Sequence, residues 1–318
     1  MTPTQLRAFA AIARTGSVKQ AARELGVSEA AVSGHVGALR RELDDRLFTR
    51  AARGLAFTPG GLRLATRAAE LLGLQDQTIR EVSEAGHGRR LLRVAASSVF
   101  AEYAAPGLCQ LFTSRADDLD VELSVQRPSQ FPALLASRAV DAAIGPPAPR
   151  VGDALAQRVF LKHQVALVAG PGHPLAHARV RAEQLREHLW LLGPSATEAE
   201  GTTAGMLRHH AVPGAQQRIF QSHAAAVEEI KRGAGIGLAV TFAVAADIAE
   251  GRLVPVQVRS AMAEGTWSIL TLPRPSLAPA AAELTRFITT PRAIQAMLHG
   301  AGTTIGHFRP SVHVTLWS

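Results

Sequence analysis

A chain of 318 residues is longer than one domain usually takes, and at 47% hydrophobic it has ample side chains for a buried core. Its net charge is +8, from 31 Arg and only 3 Lys, and residues 1–90 hold 14 basic against 9 acidic side chains; this bias suits a nucleic-acid partner for the first part, or simply reflects genome composition. The single cysteine, Cys109, excludes an intrachain disulfide and a cysteine-built metal site, while the lack of a charged-then-apolar leader and of an 18-residue apolar run speaks against export and membrane, so a cytoplasmic location is expected.

The first expected helix is Thr4 to Thr15, with Leu6, Phe9, Ala10 and Ala13 turned inward. Val18, Ala21, Ala22 and Leu25 then fall at helical spacing. Ser17 with Gln20 has the form of a capping box, and Gly26 provides a left-handed stop. Ser28 N-caps a further helix whose buried stripe is Val32, Val36, Leu39 and Leu43. The turn from Leu25 to Ser28 is short, so the two helices cross steeply as a helix-turn-helix. An ordinary helical hairpin has the same pattern. Two features favour DNA. The leading face of the second helix is small and polar, with Ser28, Ala30, Ala31, Ser33, Gly34 and His35, which lets a helix approach base edges in the major groove. Arg23, Arg40, Arg41, Arg46, Arg50 and Arg53 ring the unit, and phosphate contacts need them. After Arg50 a glycine-bearing turn leads to Leu55-Ala56-Phe57-Thr58, read as a β wing, with Arg50 and Arg53 placed to hold phosphates.

Pro59 to about Ala85 reads as one long helix. Ala65, Ala68, Leu72, Ile79 and Val82, with Gln75 in one slot, recur by threes and fours. That spacing builds a dimer seam, or a face packed on the helix's own domain. Gly86 to Arg90 is expected to be a hinge.

Over Leu6 to Leu72 the chain resembles the N-terminal domain of LysR-type transcriptional regulators. The matching residues are Ala21-Ala22, Leu25, Ser28, Ala31-Val32-Ser33, Leu39, Glu42-Leu43, Leu47-Phe48, Arg50, Leu55, Thr58-Pro59 and Gly61. Ala30 and Gly34 depart from the family's frequent residues, which moves base reading towards Ser33, His35 and the backbone. The resemblance implies double-stranded operator DNA at a promoter as partner, a homodimer that can pair into a homotetramer, and no cofactor.

From Leu91 the pattern changes. Strands are expected at Leu91–Ala96, Val121–Val125 and Asp141–Gly145, with a helix from Ser97-Ser98 to about Ser114 and another from Phe131 to Ser137 capped by Ser129. A second run holds strands at Gln164–Ala169, Trp190–Leu192, Arg218–Phe220 and Leu238–Val240, helices near Gly201–His209 and Ala224–Arg232, and the turn Gly172-His173-Pro174. A strand at Trp267–Leu272 and a helix at Ala278–His299 follow. Alternating strands and helices give a mostly parallel sheet covered on both faces. Asp141-Ala142-Ala143-Ile144, Gly172 to Ala176, Gly233-Ala234-Gly235-Ile236-Gly237 and Gly251-Arg252-Leu253-Val254 resemble the same family's effector-binding domain, which implies two α/β lobes like those of periplasmic binding proteins. The expected organisation is an α/β multi-domain chain: a winged helix-turn-helix (1–58), a linker and dimerisation helix (59–88), a first lobe (89–160 with 266–318) and a second lobe (161–265). The stretch Ser311 to Trp317 is either a further strand or a partner contact.

In open α/β sheets ligands sit beyond the carboxyl ends of the strands, against helix N-termini that favour anions. The candidate effector residues there are Ser97, Ser98, Ser129, Gln130, Gly145, Ser195, Thr202 and Ser222, although serine at a helix start also serves as a plain cap. Arg127 is the nearest cation for an acidic ligand, or a solvated surface residue. The expected effector is a small, anionic metabolite. An enzyme is not expected. His209-His210 lacks a carboxylate partner at metal-ligand spacing, the glycine-rich Gly233–Gly237 follows a helix instead of opening one, and no base stands beside the serine pairs. A cytoplasmic solute-binding protein without a regulatory role would explain the two lobes but not the first 90 residues.

Overall fold

The computed structural model describes residues 1–51, 54–299 and the backbone of 314–315. They fall into two compact units, Met1–Gly88 with Ala136–Ala139, and Arg89–Leu135 with Val140 onward.

The first unit opens with α1 (Pro3–Thr15), α2 (Val18–Leu25) and α3 (Glu29–Leu43). Each start is capped by a hydroxyl. Thr2 and Gln5 form the reciprocal box on α1, whereas Ser17 caps α2 by accepting from Gln20 N–H at 3.4 Å. Gly26, at φ 65°, ends α2 in the left-handed region. Leu6, Ala8, Phe9, Ala11 and Ile12 are the buried residues of α1. Ala10 and Ala13, expected inside, are only half-buried, because the face that meets α2 and α3 is centred on Phe9 and Ile12. Strands β1 (Phe48–Ala51) and β2 (Gly54–Phe57) pair antiparallel as the wing. Phe9, Phe48 and Phe57 cluster under it, with ring centroids 5.6–6.3 Å apart. Thr58 caps α4 (Pro59–His87). The expected hinge starts later than read: Gly86 and His87 still belong to α4, Gly88 stops it at φ 66°, and Arg90 already opens the next strand.

The second unit runs β3 (Arg90–Ala96), α5 (Ser98–Tyr103), α6 (Ala105–Thr113), β4 (Leu119–Val125), α7 (Phe131–Ala136), β5 (Ala142–Gly145), β6 (Ala156–Ala169), β7 (Arg179–Val180), β8 (Trp190–Leu192), α8 (Thr202–His209), β9 (Gln217–Ile219), α9 (His223–Lys231), β10 (Ile236–Val240), α10 (Ala245–Ala249), β11 (Val254–Pro255), β12 (Gln257–Val258), β13 (Met262–Thr271), α11 (Pro279–Phe287), α12 (Pro291–His299) and β14 (Val314–Thr315). The two long helices expected here are each broken. Pro106 and Pro291 stand at the starts of α6 and α12, where a missing N–H is tolerated and an unbroken helix is not. Ser129 does not cap α7; it sits inside a 3-10 turn, Pro128–Gln130.

One sheet has the order β14-β4-β3-β5-β13-β6-β10-β8-β9, with β11 beside β6. β3 pairs parallel with β4 and β5, and β8 parallel with β9 and β10. Between these two parallel halves the long strands β6 and β13 pair antiparallel, with a register shift at Trp267/Ser268. The fold is thus two α/β lobes joined through two strands. Leu92, Phe100, Phe112, Ile144 and Trp267 belong to one core, and Leu167, Leu185, Trp190 and Ile236 to the other. Val314–Thr315 extends β4 in parallel, while the rest of Ser311–Trp317 lies outside the described residues. The glycine-rich Gly233–Gly237 is the turn from α9 into β10. A Cβ on Gly237 would land on the Leu191 carbonyl oxygen of neighbouring β8, so glycine there serves strand approach. Among the described residues no helix is long and apolar enough to cross a membrane, and no group of three or more His, Cys, Asp or Glu side chains could hold a metal ion.

Candidate DNA interface and effector cleft

Ser28 accepts from Ala31 N–H at 3.1 Å and so fixes where α3 begins. Val32, Val36 and Leu39 are buried in the core of the unit. Leu43, expected in the same stripe, is 41% exposed, because α3 ends there and its last turn overhangs the core. Ser28, Ala30, Ser33 and Gly34 are exposed, and Ala31 and His35 are half-buried. A side chain added at Gly34 would meet nothing within 4 Å. The leading face is therefore a smooth, open ridge. Arg50 is exposed on β1, and Arg53 lies outside the described residues. Arg40 is not the free phosphate contact expected of it. Its guanidinium donates to Phe48 O at 2.9 Å and lies 4.5 Å from the Phe48 ring centroid, tying α3 to the wing. Asp45 makes a second tie by accepting from Leu47 N–H at 2.6 Å and from the Thr58 hydroxyl at 2.7 Å. These hydrogen bonds hold its carboxyl below the usual carboxylate range.

The predicted seam on α4 divides along its length. Ala68 is fully buried, and Ala65 packs against the core of the winged helix. Ile79 and Val82 are 59% and 69% exposed, and Leu71 and Leu74 are also exposed. Both alternatives weighed for this helix thus have residues to carry them, at different ends.

In the second unit a cleft of about 620 Å³, counting its open mouth, lies between the lobes. Ser97, Ser98, Ser195 and Thr202 line it, as expected. Ser97 Oγ is buried without a hydrogen-bond partner. The Ser98 hydroxyl lies 3.2 Å from His223 Nε2, and the Ser195 hydroxyl 3.0 Å from that of Thr203. Four expected residues are placed otherwise. Ser129 is exposed at a second, wider depression. Gln130 is turned back to accept from Arg127 N–H. Gly145 is buried behind Pro146, where a Cβ would lie 2.8 Å from the Phe131 ring. Ser222 caps α9 by accepting from Ala225 N–H at 3.1 Å.

The sequence reading missed His163 and Trp267, which line the cleft together with Glu198 and His223 from the strand-end stretches Gly193–Thr203 and Gln221–His223. His163 stacks on Trp267 with centroids 4.2 Å apart. Trp267 in turn meets Phe100 edge-on at 5.1 Å. Burial pushes both His163 and His223 down to about 4, so both imidazoles are neutral near pH 7. Burial raises Glu198 to about 7 against the opposing pull of Arg127. Burial, and secondarily the nearby Glu102 charge, keeps the Tyr103 hydroxyl protonated. Among the described residues no lysine or arginine lines this cleft, while Glu198 and Glu200 do. The wider depression has Arg127 and Arg208 set against Glu198, Glu200 and Glu264. The cations nearest to an anionic effector are thus those of the wider depression, Arg127 and Arg208. Cys109 is buried in the first-lobe core with its thiol pushed up to about 12, an inert packing residue.

A winged helix-turn-helix with an open recognition face, a long helix, and a two-lobed unit with a cleft between the lobes define a ligand-responsive DNA-binding protein. Residues 3–62 match the family described as bacterial regulatory helix-turn-helix protein, lysR family, and residues 85–291 match the LysR substrate binding domain. The chain is 58% identical to the HTH-type transcriptional regulator Rv0377 of Mycobacterium tuberculosis over 100% of both chains. It is 28% identical to the RuBisCO operon transcriptional regulator of Allochromatium vinosum, over 91% of this chain and 96% of that one. In fold it is similar to CbnR, a LysR family transcriptional regulator, with TM-score 0.58 and 17% identity over 93% of this chain and 99% of that one. It is also similar to ArgP from Mycobacterium tuberculosis, with TM-score 0.57 and 17% identity over 94% and 96%. The chain belongs to the LysR family of transcriptional regulators, which are not enzymes. Such regulators bind DNA and small-molecule effectors and form oligomers.

Proposed function

We propose that this regulator reads a promoter operator as a homodimer, and that its DNA-binding strength or geometry answers to a small molecule held between the two lobes. The observation that carries the DNA part is the exposed, side-chain-poor face of α3 behind its Ser28 cap, with nothing around Gly34. Ser33 and His35 are the side chains placed to reach base edges. Ala30, Ala31 and Gly34 allow close approach, and Arg50, with Arg53, holds phosphate. The exposed Ile79 and Val82 end of α4 supports pairing of two chains, and a two-fold dimer reads two half-sites. Two dimers pairing through their effector domains make a tetramer. Residues 89–160 with 266–318 form the first lobe and 161–265 the second, with the effector against Ser97, Ser98, Ser195 and Thr202. An effector shifts the lobes only through its different affinity for their two arrangements. A protein with this task works in the cytoplasm, where the DNA is.

The test is binding of purified protein to the DNA upstream of its own gene and to unrelated DNA, across a salt range. Preference for the upstream DNA that survives near-physiological salt is the expected result. Equal binding to both, lost with modest salt, would leave only a basic protein that binds solutes.

A further inference from the structure

The first turn of a helix offers unpaired N–H groups at the positive end of its dipole, a ready anion position. In the second lobe α9 runs nine residues from His223, a cleft-lining residue. Every amide of its first turn is already taken. His223 N–H and Ala224 N–H donate to the two carboxylate oxygens of Glu102 at 2.8 and 2.6 Å. Ala225 N–H donates to the Ser222 hydroxyl at 3.1 Å, and Ala226 N–H to Ser222 O at 3.3 Å. Glu102 lies on α5, in the first lobe. One turn earlier on α5, the Ser98 hydroxyl meets His223 Nε2 at 3.2 Å. A bidentate carboxylate and a hydroxyl thus join the lobes at this end of the cleft.

We infer that Glu102 is the cleft's own carboxylate ligand: it fills the anion position of α9, ties the two lobes there, and leaves the cleft to a neutral, hydrogen-bonding effector. This rests on the cleft being the effector site. Two further observations agree with it. Among the described residues no lysine or arginine lines the cleft. Its open hydrogen-bonding capacity is that of neutral groups: Ser97 Oγ and His163 Nδ1, in residues only 4% and 9% exposed, have no partner, and a ligand hydroxyl or amide satisfies them.

Chemical rescue of the full-length protein tests the assignment. Glu102→Ala opens a carboxylate-sized gap at α9 and should lower the melting temperature by roughly 2–4 °C. Sodium acetate, compared with sodium chloride at equal concentration, should restore much of that loss. Wild type and Glu102→Gln, in which the position stays filled, should respond to acetate no more than to chloride. Acetate that stabilises wild type as much as Glu102→Ala would overturn the inference, as would a Glu102→Ala protein that gains nothing specific from acetate. Should Glu102→Ala fail to fold, Glu102→Gln decides: removing the charge must lower the melting temperature, and an unchanged value refutes the bridge. These melts contain no DNA. Rescue without operator preference would therefore sink the regulatory reading alone, and operator preference without rescue would sink this one alone.

Discussion

Replacing Gly61 with alanine should loosen the winged helix more than any surface change of its size. The first turn of α4 lies against the residue that opens the wing. Asp45 holds Leu47 N–H and the Thr58 hydroxyl, Thr58 N–H donates to Leu47 O at 3.0 Å, and Gly61 N–H donates to Thr58 Oγ1 at 2.9 Å. A Cβ on Gly61 would stand 2.8 Å from the Leu47 carbonyl carbon and nearer still to its oxygen. Backbone cannot swing aside as a flexible side chain does, so either Leu47 or α4 must retreat. Forced overpacking costs about 1–3 kcal/mol, and the capping bond lost with it about 1 kcal/mol. The expected total is about 2–4 kcal/mol, or roughly 30- to 900-fold in the local opening equilibrium. Tyr103 and all three tryptophans, Trp190, Trp267 and Trp317, lie outside residues 1–88, so intrinsic fluorescence is blind to this unit. Hydrogen exchange read by mass spectrometry on peptides covering residues 45–62 is the suitable assay. Operator affinity should fall with protection, since the wing is no longer pinned to α3. Exchange within about threefold of wild type would refute the steric argument.

Four other outcomes are expected. Asp141→Ala leaves the Arg93 guanidinium, 12% exposed and bonded to Asp141 at 2.6 and 3.2 Å, without its partner between β3 and β5; a loss of about 3–5 kcal/mol is expected in urea unfolding followed through the buried Trp190 and Trp267, and a loss below about 1 kcal/mol would show that the pair is dispensable. Ile79→Asp with Val82→Asp, at exposed positions, should leave the fold intact and halve the mass seen by light scattering; an unchanged mass moves the interface elsewhere. Ser33→Arg should change or abolish site preference while keeping non-specific binding, so an unaltered preference removes Ser33 from the readout. Glu198 binds its proton more tightly folded, at about 7, than at its ordinary 4.5; its ionised form therefore weakens the fold above pH 7, and the penalty fades as pH falls towards 4.5. Glu198→Gln should melt higher than wild type at pH 8, with the difference closing by pH 4.5. A difference that does not change with pH contradicts the sign.

Much of the fold was legible wherever the signal is local. Ser17, Ser28 and Pro59 mark helix starts that the structure keeps, and Gly26 marks a stop. Two local signals were passed over: Pro106 and Pro291 break helices that hydrophobic spacing alone runs together. Other misses have no local signal. The first half of β6 and nearly all of β1 carry exposed or half-exposed residues, so no apolar alternation announces them. They are strands because β13 and β2 lie beside them. Leu43 has the right spacing for the buried stripe, but the core ends a turn earlier.

The cleft shows a sharper limit. Looking beyond the carboxyl ends of the strands finds Ser97, Ser98, Ser195 and Thr202. Of the other candidates, Gly145 gives way in the lining to Pro146, and the Ser222 hydroxyl caps its own helix. His163 and Trp267 lie on the two long strands that join the lobes, and only their pairing brings them together. The expectation of an anion rested on the helix dipole alone. A helix dipole says where positive potential stands, but not whether the chain has already met it. Glu102 is 121 residues from His223 in sequence, and nothing in its own surroundings marks it as the partner of that helix. Once the two are joined, the same physics that predicted an anion at α9 argues against a second one, since a free carboxylate must displace a tethered one that has little freedom left to lose.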